Sequence, residues 1–195
     1  MLAAGGAVLA QDDADTMDEM KSMDAKQTED VRKRLNGLTN YGAFDWIVFW
    51  TDDDLVYLSG KVVEPSLKKA AEAAVKKVEG VKTVENEIQV LPVSPADDRI
   101  RIAAYAAIYG HSAMTRYVPG GGTNFVAPSP RFRDATNLVQ TGQFHEGPHA
   151  IHIIVEHGNL TLLGIVDSRL HSQIAEVQAK SINGVFSVTN SLRIE

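Results

Sequence analysis

Apolar residues follow two rhythms along this chain, one with the period of a helix and one with the period of a strand. Val31, Leu35 and Leu38 stand at i, i+4, i+7, the spacing that lays a single stripe along a helix. Ordered structure is therefore expected from about Ala25, with the helix closing between Gly37 and Gly42. From Trp46 to Thr51 the residues are aromatic and β-branched, Asp52-Asp53-Asp54 interrupts, and Leu55 to Val62 resumes in the same style. That predicts a hairpin. Pro65 suits a first helical turn, where an N–H would go unused. Leu67, Ala70, Ala71, Ala74, Val75 and Val78 then form an inward face, while Lys68, Lys69, Glu72 and Lys76 face water. Gly80 is expected to close this helix in a left-handed turn, the residues from Val81 to Leu91 to form a third strand, and Pro92-Val93-Ser94-Pro95 to act as a short stiff linker.

The same plan then recurs. A constant offset of 104 positions carries Leu58 to Val90 onto Leu162 to Ile194 without a gap. Leu58/Leu162, Gly60/Gly164, Val62/Val166, Ala71/Ala175, Glu72/Glu176, Lys76/Lys180, Gly80/Gly184, Val81/Val185, Val84/Val188 and Asn86/Asn190 are identical pairs. Chance would supply on the order of two such matches, so the chain carries an internal repeat. Ile47 and Ile151 extend it into the first strand. The opening helix recurs as well: Asp97 or Asp98 can cap a segment in which Ile100, Ala104 and Ala107 take the places of Val31, Leu35 and Leu38, at an offset of 69. The second copy thus holds 35 more residues between its first helix and its hairpin. The glycine pairs shape the backbone. Gly60 and Gly164 permit a close approach or a bulge within a strand, and Gly80 and Gly184 supply a positive φ after a helix.

The motifs Val56-Tyr57-Leu58-Ser59-Gly60-Lys61-Val62 and Gly80-Val81-Lys82-Thr83-Val84-Glu85-Asn86-Glu87-Ile88 carry a family likeness. Leu160-Thr161-Leu162-Leu163-Gly164-Ile165-Val166 and Gly184-Val185-Phe186-Ser187-Val188-Thr189-Asn190-Ser191-Leu192 repeat it. Both sets resemble the BON family. The resemblance implies an α+β protein of two tandem α-β-β-α-β sandwiches, each a small mixed sheet covered by two helices, with a long insertion in the second. It also implies a non-enzymatic protein of the cell envelope, periplasmic or otherwise exported, linked to phospholipid surfaces, envelope integrity and osmotic stress. No cofactor comes with it. The expected division is a truncated signal peptide over 1–10, an acidic Met-rich disordered tether over 11–24, and a first domain over 25–93. A linker over 94–96 leads to a second domain over 97–195, with its insertion at about 111–147.

Composition narrows the function further. With 44% hydrophobic and 23% charged residues the chain is ordinary for a globular protein, and no stretch reaches the roughly 18 apolar residues a membrane-spanning helix needs. A net charge of −6 argues against general nucleic-acid binding, and the absence of Cys removes thiol chemistry. The small apolar run from Met1 to Ala10, ending in Val8-Leu9-Ala10 before Gln11-Asp12-Asp13, reads as the back half of a signal peptide; an Ala/Gly-rich tail is the alternative.

Against the acidic background, Arg99, Arg101, Arg116, Arg131 and Arg133 fall in a segment free of Asp and Glu and share it with Tyr105, Tyr109, Tyr117, Phe125 and Phe132. Guanidinium groups match phosphate oxygens and aromatic rings suit a bilayer boundary. Arg99, Arg101, Tyr105, Tyr109, Arg116, Arg131, Phe132 and Arg133 are accordingly the candidate contacts to an anionic phospholipid surface or an envelope protein. The plainer alternative packs the aromatics onto the sheet and pairs the arginines with acids. His145-Glu146-Gly147-Pro148-His149 spells the string of zinc proteases, but Gly-Pro breaks the continuous helix that motif requires. His149, His152 and His157 are expected at the surface, with His149 and His152 on opposite faces of a strand. Met17, Met20 and Met23 offer thioethers at helical spacing, and Gly120-Gly121-Gly122 lacks the Lys-Ser/Thr of a phosphate loop. No catalytic residue and no metal ligand set is assigned; the rival functions are a protein-binding module using the insertion and a metal-handling protein using His and Met. Oligomeric state is left open.

Overall fold

The computed structural model describes residues 25–118 and 149–194. Helix α1 covers residues 25–36. Strands β1 (Trp46–Asp52) and β2 (Leu55–Val62) form an antiparallel hairpin in which Phe49 faces Leu58 and Trp50 faces Tyr57. Helix α2 (Pro65–Val75) crosses over, and β3 (Thr83–Asn86) and β4 (Gln89–Val90) return parallel to β2. The third strand is thus two short pieces. Between them Ile88 is fully buried and its N–H bonds to Asn86 Oδ1, which breaks the ladder locally.

The second copy runs α3 (Pro95–Tyr109), a 3₁₀ turn (Ser112–Tyr117), β5 (Ile151–Glu156), β6 (Asn159–Val166), α4 (Arg169–Lys180) and β7 (Ser187–Ile194). Both copies therefore show the α-β-β-α-β order, with the hairpin antiparallel and the last strand parallel to its neighbour. Each sheet has its two helices on one face, because the apolar stripes have nowhere else to be buried. Val31, Leu35, Leu67, Ala71 and Val75 meet Val56, Leu58 and Val62 in the first core. Ile100, Ala104, Ile108, Ala175 and Ala179 meet Ile151, Ile153, Leu160 and Leu162 in the second. Two details differ from expectation. Ala70 is exposed, so the buried face of α2 is the narrower Leu67, Ala71, Val75 stripe. The cap of α3 is Ser94, whose side chain accepts from Asp97 N, rather than Asp97 or Asp98.

The identical pairs of the repeat prove to be fastenings. Asn86 Nδ2 donates to Lys68 O at 3.0 Å and to Glu72 Oε2 at 3.2 Å, tying β3 to α2. Asn190 Nδ2 does the same with Ser172 O at 3.2 Å and Glu176 Oε2 at 3.1 Å. Gly60 and Gly164 have φ of +126° and +123°, and each lies against the backbone carbonyl of the opposite strand, Trp46 O and Ala150 O. The tight approach is therefore to the hairpin partner.

The two copies are joined by more than their linker. The loop before β1 sends Ala43 and Phe44 into the second core, and Val63 packs there too. Ala43 O accepts from Ile153 N at 2.7 Å, His152 Nδ1 bonds to Asp45 O at 2.5 Å, and Lys61 pairs with Glu156. As a result β5 is buried on both faces, an all-apolar run apart from His152 and its terminal Glu156.

Candidate functional site

Of the eight residues the sequence nominates for a lipid or anionic partner, five lie among the described residues and the fold separates them. Arg101 is 1% exposed and Tyr109 is 0% exposed. Arg101 Nη2 donates to Val155 O at 2.5 Å while Nη1 pairs with Asp98, and Tyr109 Oη donates to Ile151 O at 2.6 Å. Contrary to the expectation from sequence, both fasten α3 to β5, and neither can reach a surface. Tyr105 is half-buried between Phe44 and Tyr109, with ring centroids 5.9 Å and 4.6 Å away, and burial pushes its hydroxyl up to about 12. Arg116 is exposed but pairs with Asp167, holding that carboxylate below its ordinary range. Arg99 is exposed beside a shallow cleft that Phe186, His157 and Asn183 also line. Arg131, Phe132 and Arg133 lie outside the described residues. So do His145, the Met17/Met20/Met23 series and Gly120-Gly121-Gly122.

His157 is exposed as expected, but the other two histidines depart from expectation. His149 and His152 are 8% and 0% exposed, with ring centroids 6.3 Å apart, because β5 begins only at Ile151 and alternation does not govern His149. His152 packs between Tyr41 and Trp46 at the junction of the copies. Burial lowers His152 to about 4 and His149 to about 3, so both are neutral near pH 7. Burial raises Asp45 to about 6 even though its carboxylate accepts from Val63 N at 2.8 Å and Gly42 N at 3.1 Å. Desolvation wins because the two amides supply only partial charges. Among the described residues no group of three His, Asp or Glu side chains is arranged to hold a metal ion. A polar cluster does sit at the junction, and its geometry fastens loop to strand.

The feature that sequence reasoning passed over is on the outside of the second copy. Leu170 and Val177, one face of α4, are 61% and 62% exposed, and Phe186 is 82% exposed. At the offset of 104 the first copy has Ser66, Ala73 and Lys82 in these places. Lys82 pairs there with Asp54, whereas Phe186 lies over Gly158, where a Cβ would meet its ring at 2.5 Å. At these places the second copy is the more apolar, with Arg169 exposed next to Leu170 in the chain and Arg99 exposed in the cleft that Phe186 also lines. The signal was present in the repeat alignment, in the positions where the copies disagree.

No helix of the described residues is long and apolar enough to cross a membrane. No curated protein matches the chain. Two solved structures of CdsD, a structural protein of the type III secretion system of Chlamydia trachomatis, resemble it loosely. One is its C-terminal domain, at 10% identity over 86% of this chain and 96% of that one, with a TM-score of 0.26. The other is 13% identical over 86% of this chain and 91% of that one, also with a TM-score of 0.26. The sequence profile of the BON domain matches residues 23–92 and again 137–195. Those two segments hold both hairpins, both second helices and both glycine pairs, and together they exceed half of the chain: the protein belongs to the BON domain family.

Proposed function

We propose that the protein is a non-enzymatic module of the cell envelope that docks reversibly on anionic phospholipid through its second copy. The observation that carries this reading is the exposed apolar stripe of α4, Leu170 and Val177, with Phe186 beyond it, in a copy whose twin has Ser66, Ala73 and Lys82 at these places. Large apolar side chains exposed where the twin copy has smaller or polar ones support a surface that meets something apolar. Arg99, kept from the arginine set read from sequence, and Arg169 supply the charge. Burying the exposed part of the three side chains is worth about 3 kcal/mol. Two arginines near an anionic surface add about 1 kcal/mol each. The sum corresponds to a sub-millimolar, reversible attachment, while the acidic remainder of the chain limits how deeply the protein approaches. Export to the periplasm fits the family and the apolar-to-acidic change after Ala10.

Co-sedimentation with vesicles of phosphatidylglycerol and phosphatidylethanolamine tests the reading. Wild type should bind at least tenfold better than to phosphatidylcholine vesicles, and the triple variant Leu170→Ser, Val177→Ser, Phe186→Ser should lose most of that binding. Equal binding to both vesicle types, or a triple variant that binds as wild type does, would defeat it.

A further inference from the structure

The two copies differ along one strand edge. β1 and β5 are the outer strands of their hairpins, and in an antiparallel pair alternate residues turn both N–H and C=O away from the partner. Ile47 and Ile151 do this, and in each copy a tyrosine hydroxyl takes both groups. Tyr41 Oη accepts from Ile47 N at 2.9 Å and donates to Ile47 O at 3.3 Å. Tyr109 Oη accepts from Ile151 N at 3.2 Å and donates to Ile151 O at 2.6 Å. Two residues further along, Ile153 N donates to Ala43 O, and Val155 O accepts from Arg101 Nη2. The edge of β5 is thus met at Ile151, Ile153 and Val155.

At the offset of 104 the first copy places Phe49 and Thr51 where the second has Ile153 and Val155. Among the described residues nothing hydrogen-bonds to their outward N–H and C=O groups. Arg32 stands in α1 where Arg101 stands in α3 and pairs with Glu29 as Arg101 pairs with Asp98, but its side chain is 53% exposed and makes no bond to Thr51 O. Beside this edge Val48 and Trp50 are 38% and 50% exposed, the Trp50 ring stacked on Tyr57 at 4.8 Å. From Trp46 to Thr51 there is no charged residue, proline or glycine, the devices by which proteins usually guard an edge. At the hairpin end Asp52 and Asp53 are exposed.

We propose that the outer edge of β1, at Phe49 and Thr51, accepts an extended strand from a partner protein, with apolar side chains set beside Val48 and Trp50 and a basic residue toward Asp52 and Asp53. The second copy supplies the precedent, since there a carbonyl from outside the domain and a guanidinium fill the same two positions. Strand addition of this kind takes its affinity from main-chain bonds and its selectivity from alternate side chains. The acidic hairpin end selects for charge, and the Trp50 face for aliphatic bulk. This surface is separate from the lipid-facing stripe of α4.

The test uses the full chain and a fluorescein-labelled decapeptide of alternating valine and lysine. A second decapeptide is identical except for N-methylation of every other amide, which keeps charge and apolar surface but removes the donors. The unmodified peptide should bind at least tenfold more tightly than the methylated one, and should slow amide exchange at Phe49 and Thr51 at least tenfold. Asp52→Lys should weaken binding. Thr51→Pro, which removes the outward N–H together with the Thr51 hydroxyl that meets Thr28 Oγ1 at 3.2 Å, should do so at least tenfold, and Thr51→Val, which removes the hydroxyl alone, should not; if the proline variant fails to fold, the methylated peptide still decides. The proposal is overturned if both peptides bind alike, or if protection appears on β7. It is also overturned if the Phe49 and Thr51 amides already exchange slowly in the free protein together with a concentration-dependent mass, which would put a second copy of the chain on the edge.

Discussion

Replacing Gly60 by alanine places a methyl group where the opposite strand already is. A Cβ at that position would stand 1.9 Å from Trp46 O, against ordinary contact from 3.4 Å, so the hairpin must open by more than an ångström. The backbone also sits at φ +126°, which side chains other than hydrogen rarely adopt. Holding alanine there costs about 1–3 kcal/mol. Relieving the overlap costs about 1–3 kcal/mol more. We expect Gly60→Ala to destabilise by about 4 kcal/mol, a large part of the roughly 5–15 kcal/mol that holds a domain folded. Gly164→Ala should cost the same, its Cβ lying 2.1 Å from Ala150 O at φ +123°. Gly37→Ala is the control: its Cβ would be 3.3 Å from Lys33 O with no positive φ, and the change should stay within about 0.5 kcal/mol. Urea unfolding measures all three, and because both tryptophans, Trp46 and Trp50, lie in the first copy, their fluorescence follows that copy while circular dichroism follows both. A loss below about 1 kcal/mol at Gly60, or a control as damaging as the test, would refute the reasoning.

Acid should weaken the junction. Between about pH 6 and pH 4 the native protein keeps a proton on Asp45 that the unfolded chain has released, while the unfolded chain holds protons on His149 and His152 that the native protein excludes. The unfolded state is ahead by one proton, so stability falls by about 1.4 kcal/mol per pH unit on acidification. Denaturant midpoints across that range measure it, and His152→Gln should flatten the slope; stability that holds or rises on acidification would contradict the assignment. Arg101→Ala should cost about 3 kcal/mol, because it strands the buried Val155 carbonyl. Arg32→Ala, at the matching place in the first copy, removes only an exposed pair and should cost less than about 0.5 kcal/mol; equal losses in thermal unfolding would show that the two arginines are equivalent after all.

Most of the fold was legible in the sequence because it follows from periodicity. The hairpin around Asp53-Asp54, the Leu67, Ala71, Val75 stripe and the paired glycines each answer to a local rule, and the offset of 104 checked every one against a second copy. The site was less legible. Arg101 reads as surface charge from its type, yet it stands with Asp97, Ile100, Ala104 and Ile108 on the buried stripe of α3, so spacing alone would have turned it inward. Tyr109 lies on the same stripe. His152 could not be placed, because Tyr41, Asp45 and Trp46 pack on it from more than a hundred positions away, and periodicity is blind to contacts between copies. His149 lies ahead of β5 against Tyr105 and Tyr109, where no strand alternation governs it. The apolar exterior of α4 was hidden for the opposite reason: attention to identical pairs passes over the places where duplicates have parted.

The loop that fastens β5 has a bearing on how this chain is assembled. Synthesis delivers the first copy ahead of the second, so Ala43 and Asp45 can be in place before Ile153 and His152 emerge. The later hairpin then closes against a finished neighbour, which acts as a mould for it. The two halves are consequently not interchangeable beads on a string, and a gene that reversed their order would present the mould after the cast.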